Sequence, residues 1–228
     1  ERELGVRPIR SRRIWRSCAR RQLREDSILT IERHKPQLVM KRTDLAGLPE
    51  ICLPDGYTIR CYEEGDGPAW EQIIGASFGR QVEPGEFDRN IREREAFRPE
   101  RVLFVLHGDE AVATASAWDS PGWGAQVGQL HMVGVKPGHQ GKRLGHWASL
   151  GALHQFRAEG RNCVMLSTDD FRLAAVKIYL ALDFVPVLVH ENQRQRWADV
   201  FTALGMPDQA DRFADILRGP VTEKKTAG

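Results

Sequence analysis

Residues 130–156 read LHMVGVKPGHQGKRLGHWASLGALHQF, and this stretch sets the architecture of the chain. Leu130–Val135 is apolar and β-branched, the composition of a half-buried strand. Pro137 and Gly138 stop it. Gly141 and Gly145 then bracket Lys142 and Arg143 where a helical pattern begins. A loop of small residues at a helix N-terminus aims several backbone N–H groups at one spot. The helix dipole and two cations add positive potential there, so a phosphate or pyrophosphate is the natural guest. Within the strand, Gln129 and His131 share one face and Leu130 and Met132 the other, but at Val133 the alternation slips. A one-residue slip is what a β-bulge produces, and bulges favour the neighbourhood of active sites. A strand buried on both faces, with no alternation to keep, explains the pattern equally well.

Working outward, the chain before this strand reads as antiparallel β. Tyr57–Tyr62 alternates as a first strand, and Val102–Leu106 with Ala111–Trp118 forms a hairpin through His107–Glu110. Between them, Asp66-Gly67-Pro68 opens a helix with Trp70, Ile73, Ile74 and Phe78 on its core face. Pro84 opens a second, highly charged helix to Phe97, with Phe87, Ile91 and Phe97 inward. After the organising loop come a helix over Leu144–Glu159 with Gly160 as C-cap, and a short buried strand from Cys163 to Leu166. A nearly all-apolar and therefore buried helix follows over Phe171–Leu182. A strand from Phe184 to Val189 and a closing helix from Gln193 to Leu204 complete the chain.

With those elements in place, Val135-Lys136-Pro137 and Gln140-Gly141-Lys142-Arg143-Leu144-Gly145 resemble the V-x-P and Q/R-x-x-G-x-G/A signature of the GNAT superfamily of N-acetyltransferases. Ala175–Phe184 is similar to the A-x-x-x-Y-x-x-L-G-F segment of the same family. Two departures stand out: Arg143 occupies the place of the first signature glycine, and Asp183 that of the glycine before Phe184. The resemblance, covering roughly Tyr57 to Leu188, implies an α/β fold: a mixed, mostly antiparallel twisted sheet flanked by helices, with a bulged central strand.

It also implies the chemistry. Acetyl-CoA is the expected co-substrate, with no metal, and the acetyl group passes to a primary amine by direct attack in a ternary complex. Backbone groups around Val133 and Val135 would hold the pantetheine arm, and Gln140, Gly141, Lys142, Arg143, Leu144 and Gly145 the pyrophosphate. Tyr179 corresponds to the general acid for the departing thiolate; a tyrosine packed at a helix end is the plain alternative. His131 is the candidate base, resembling a histidine that a family member carries in an L-H-x-L-x-V stretch. A purely structural histidine is the alternative. At Arg143 the preferred reading is a helical backbone with the side chain reaching a phosphate, rather than a strained left-handed residue. Arg172 reads as a first-turn surface residue more than as a cofactor contact. A catalytically silent acyl-CoA-binding sensor with the same fold is the competing function.

Composition bounds the rest. The chain has 228 residues, 41% hydrophobic and 28% charged, and no run long enough to span a membrane. Cys18, Cys52, Cys61 and Cys163 have no metal or disulfide spacing, which reads as a reducing, cytoplasmic setting. Residues 1–24 hold nine Arg and two Glu, +7 of the net +2, so the remainder carries −5 and has no nucleic-acid footprint. A phosphate-binding NTPase loop is excluded because Gly141-Lys142 is followed by Arg143, where that motif requires a Ser or Thr hydroxyl for Mg²⁺. His131, His139, His146 and His154 lack zinc spacing. The expected organisation is a basic extension over residues 1–38, the catalytic domain over 39–210 and a tail over 211–228. A short helix over Arg12–Leu23 is expected within the extension. The expected partner is a small-molecule or peptide amine, with a monomer or homodimer as the assembly.

Overall fold

A computed structural model describes residues 35–222, and Gln37–Thr222 belong to one compact unit. The helix expected over Arg12–Leu23 lies outside the described residues. Seven strands form one sheet in the order β2-β3-β4-β5-β6-β1-β7. They are β1 (Leu38–Arg42), β2 (Tyr57–Cys61), β3 (Val102–His107), β4 (Glu110–Asp119), β5 (Val127–Val135), β6 (Cys163–Thr168) and β7 (Val185–Val187). Every neighbouring pair is antiparallel except β5–β6. The helices are α1 (Gly67–Phe78), α2 (Leu144–Ala158), α3 (Leu173–Ala181), α4 (Gln193–Ala203), α5 (Asp208–Arg212) and α6 (Ala214–Arg218). The expected α/β architecture is the one observed, and α2 is the crossover that the parallel pair requires.

The main core lies between the sheet and α2, α3 and α4, around Leu103, Val105, Ala115, Leu130, Leu153, Phe156, Leu166 and Trp197. A second core, on the other face, joins α1 to β3 and β4 through Trp70, Ile73, Ile74, Phe87, Ile91 and Phe104. Small residues set the distance between the layers. A Cβ on Gly128 would lie 2.3 Å from the Phe156 ring, and one on Gly151 3.0 Å from Ile59. The far end of α2 is tied to the sheet by ions. Arg101 pairs bidentately with Glu159 (2.7 and 2.7 Å) and reaches Asp119 at 3.1 Å, which also takes Arg161.

Several expectations change. β1 had no counterpart in the sequence reading, yet Leu38 and Met40 are fully buried in the main core and Val39 is buried on the other face. A domain boundary after residue 38 therefore cuts a strand held between β6 and β7. The charged helix expected over Pro84–Phe97 is instead a short helical segment ending in a π-type turn at Asp88–Arg92. Phe87 and Ile91 bury as expected, but nothing apolar holds Glu93–Ala96. Phe97 swings in to pack edge-on against Tyr62 and Phe87, which pulls the chain off the helical path. The helix expected over Phe171–Leu182 begins only at Leu173 and is not wholly buried: Ala174, Lys177 and Ala181 are exposed and Phe171 is 78% exposed. From residue 211 the chain continues as structure, with α6 packed back so that Phe213 is buried and the Thr222 N–H donates to the Leu188 carbonyl at 2.7 Å. Asp183 does adopt the left-handed conformation a glycine would take, at φ 56°. Arg42 braces that turn, donating to the Leu182 carbonyl at 2.6 Å.

Candidate functional site

The site begins where the sheet comes apart. β5 pairs with β6 only from Val127–Gln129 to Cys163–Met165. Beyond that register β5 runs on to Val135 and β6 to Thr168 without pairing to each other. At about 3.3 Å per residue, the unpaired part of β5 is roughly 20 Å long. Its edge offers backbone N–H and C=O groups to whatever enters the cleft.

The bulge expected at the alternation slip is present. His131 pairs with Ser116 and Gly134 with Thr114, so Met132 and Val133 together stand opposite Ala115. Met132 takes φ 49°, a conformation that costs a branched or long side chain about 1 kcal/mol. The extra residue turns Val133 and Val135 toward the main core, while Met132 packs with the α1 cluster on the other face. Gly145 completes the inner wall. A Cβ there would meet Ile178 at 3.1 Å, Val135 at 3.4 Å and Val133 at 3.9 Å, so α2, α3 and β5 converge on one glycine.

The loop after β5 is held at its start by two bonds. The Ser77 hydroxyl donates to the Val135 carbonyl at 2.9 Å, and the Lys136 N–H donates to the Val112 carbonyl at 2.8 Å. A 3₁₀ turn over Pro137–His139 follows, then Gly141 at φ 78° and Arg143 at φ 58°. The first α2 bond runs from the Trp147 N–H to the Arg143 carbonyl, so the amides of Leu144, Gly145 and His146 have no intrahelical acceptor. Among the described residues, no protein acceptor takes the amides of Gly141, Lys142 or Arg143 either. Consecutive unfilled donors at a helix N-terminus, with the Lys142 ammonium exposed beside them, make an anion cradle.

Arg143 corrects the reading from sequence. Its backbone is left-handed rather than helical, and it serves as the N-cap of α2. Its guanidinium lies 5.1 Å over the Trp147 ring and donates to His146 Nε2 at 3.3 Å. Burial, and then the Arg143 charge, hold the His146 imidazole below its ordinary pKa, which keeps it neutral and able to accept that bond. Gln140 is exposed in an extended conformation just before the cradle.

The two candidate catalytic side chains flank the cleft from opposite faces of the sheet. Tyr179, on α3, belongs to the main core and is 7% exposed. Burial pushes its phenol up to about 12, opposed by the Arg172 charge. His131 points to the α1 face, with its ring 6.1 Å from that of Trp118. Burial pulls its imidazole below the usual histidine range, so it is neutral at pH 7. Directly across the ladder stands Ser116, fully buried, with a hydroxyl that has no partner among the described residues. On this same face a cavity of about 490 Å³ is lined by Glu95, Arg98, Trp118, Asp119, Ser120 and Arg161. A smaller one of about 150 Å³ lies over Gln129, Met165 and Ser167. Among the described residues, no cluster of three His, Cys, Asp or Glu side chains is placed to hold a metal.

One residue was undervalued from sequence. Arg172, expected at the surface, is only partly exposed and lies 3.9 Å over the Phe78 ring at the end of α1, with Nε 3.1 Å from Asp169. Nothing in the local pattern signals this, because the partner is an aromatic far earlier in the chain.

Comparison with known proteins agrees with this geometry. The family model described as "Acetyltransferase (GNAT) family" matches residues 68–184, which is 117 of the 228 residues. A protein named mycothiol acetyltransferase from a Nocardioides species is 30% identical over 171 residues, covering 67% of this chain and 58% of its own. One of the same name from Thermomonospora curvata is 33% identical over 144 residues, covering 60% of this chain and 47% of its own. The chain thus spans about half the length of the curated relatives it matches. Among solved structures, a GCN5-related N-acetyltransferase from Sphaerobacter thermophilus superposes with a TM-score of 0.53 at 22% identity, over 70% of this chain and 52% of that one, a likeness of fold. On the strength of the family match, the chain belongs to the acetyltransferase (GNAT) family.

Proposed function

We propose that the protein transfers an acetyl group from acetyl-CoA to a primary amine by direct attack in a ternary complex. The observation that carries this reading is the unpaired, bulged end of β5 running into a loop whose amides, from Gly141 to His146, await an anion. When bound, acetyl-CoA supplies an activated acetyl thioester. Gly141, Lys142, Arg143, Leu144 and Gly145, with Gln140 at the loop entrance, are suited to hold its pyrophosphate. The backbone at Val133 and Val135 is suited to hold the pantetheine arm and to aim a donor at the acetyl oxygen, worth about 3–4 kcal/mol in such sites. His131, kept neutral by burial, takes the proton of the attacking amine directly or through water. Tyr179 gives its proton to the departing sulfur. The acceptor is a small-molecule or peptide amine, and the relatives' name puts acceptors related to mycothiol first in a screen.

Thermal unfolding with acetyl-CoA, CoA or ATP, followed by an amine panel, tests the proposal. Ligand at about 100 times its dissociation constant adds roughly 2.7 kcal/mol, or several degrees in Tm. A rise with acetyl-CoA and CoA but not ATP, together with turnover on one amine, supports it. A rise without turnover on any amine makes the protein a silent acyl-CoA sensor, and no rise removes the cofactor assignment.

A further inference from the structure

Arg172 spans the mouth of the cleft. It follows β6 at the N-cap of α3, on the far wall, and its guanidinium lands on Phe78 of α1. Phe78 is anchored to the near wall, since the adjacent Ser77 bonds to the Val135 carbonyl. Three contacts fix the charge there: the Phe78 ring at 3.9 Å, the Phe171 ring at 5.6 Å and Asp169 at 3.1 Å. A guanidinium stacked on rings and bound by one carboxylate is restrained in position yet keeps N–H donors for a third party.

Tyr179 lies about two helical turns after Arg172, on the same side of α3. Long side chains on a helix lean toward its N-terminus, so the phenol extends back toward Arg172 and the positive end of the α3 dipole. Of the other charged groups nearby, Asp169 offsets part of the Arg172 charge, its carboxylate lying 3.1 Å from Nε and also accepting from the Gln37 amide at 3.1 Å, whereas Asp170 is taken by Arg196 at 2.6 and 2.8 Å. His131, across β5, is neutral at pH 7, and the last turn of α1 carries no charge.

We propose that Arg172 is a positioning residue for leaving-group protonation, its clamped guanidinium supplying the positive potential in which sulfur departs and Tyr179 releases its proton. This rests on the acetyl-transfer reading. In the step concerned, the acceptor nitrogen bonds to the acyl carbon and the carbon–sulfur bond breaks. The amine proton passes to His131, the Tyr179 O–H proton passes to sulfur, and the phenolate is then reprotonated from water. The need is chemical. A buried phenol is a weak acid toward a thiolate whose parent thiol ionises near 8.5, so positive potential at that point strengthens the phenol as an acid and stabilises the negative charge that gathers on sulfur as the carbon–sulfur bond breaks.

The test is the ionisation of the thiol of CoA bound to the whole protein, followed by thiolate absorbance against pH, in the native protein, Arg172→Gln, Arg172→Met and Arg172→Lys. The expected result is a bound thiol pKa below that of free CoA. It returns upward by on the order of one unit in the two neutral variants and is largely kept in Arg172→Lys. Turnover should fall roughly tenfold in the neutral variants with the KM for acetyl-CoA little changed, a split that loss of fold would not give. Equal thiol pKa values in all four proteins overturn the proposal while leaving the function intact. Failure of the native protein to bind CoA overturns both.

Discussion

Arg143 holds the conformation that its family signature assigns to glycine, and the penalty can be isolated by two substitutions. Arg143→Ala and Arg143→Gly remove the same contacts, the stacking on Trp147 at 5.1 Å and the bond to His146 at 3.3 Å. They differ only in the Cβ, which at φ 58° crowds the following carbonyl. Left-handed backbone costs an L-residue about 1–2 kcal/mol, and glycine gives back about 0.4–1 kcal/mol through its freer unfolded chain. The glycine variant should therefore be more stable than the alanine variant by about 0.5–1 kcal/mol. For a domain of this size that is roughly 1–4 °C in Tm, within reach of calorimetry or urea unfolding monitored by tryptophan fluorescence. Arg143 is exposed, so packing blurs the difference little. An alanine variant as stable as the glycine variant would show that the loop does not hold this residue left-handed, and the description of the cradle would fall with it.

Three further outcomes follow from the geometry. Gly128→Ala places a methyl 2.3 Å from the Phe156 ring, so it should destabilise by about 1–3 kcal/mol, and Phe156→Leu in the same chain should restore part of that; equal urea midpoints for the single variant and the native protein would contradict it. A chain begun at Gln37 should keep its fold, whereas one begun at Met40 loses the buried Leu38 and Val39 side chains of β1. That loss is worth roughly 3–6 kcal/mol by burial alone and would be read in the unfolding midpoint. For His131 the folded pKa lies below the unfolded one, so the unfolded state binds the proton first. Stability contributed by the neutral ring is present above the unfolded pKa and is lost as pH falls through it toward the folded value. His131→Gln should flatten that acid dependence of stability and remove the acid inflection of the rate profile, and an unchanged profile would take His131 out of the mechanism.

Much of the fold was legible because its signals are local. The slip at Val133 marks a bulge because a two-residue period cannot absorb one extra residue without flipping the faces, and Met132 at φ 49° is where the flip occurs. The loop was legible because Pro137, Gly138, Gly141 and Gly145 punctuate it at fixed offsets. β1 escaped notice because three apolar residues, Leu38–Met40, carry little periodicity, and its partners β6 and β7 lie more than a hundred residues later. The 84–97 segment misled because its charges fit a solvated helix, while the deciding contact is Phe97 against Tyr62 and Phe87. Arg172 was hidden for the same reason, since its place depends on Phe78 from another layer of the fold. At Arg143 the sequence posed the alternative correctly, and only the backbone torsion decides it.

The central claim is that unfilled amides from Gly141 to His146, together with the unpaired end of β5, receive acetyl-CoA. Amide hydrogen exchange resolved along the chain, with and without acetyl-CoA and with ATP as the control, measures this at the atoms concerned. The account predicts slowed exchange at residues 141–146 and 131–135 with acetyl-CoA and little change with ATP. Protection confined to other segments, or none at saturating acetyl-CoA, would contradict it.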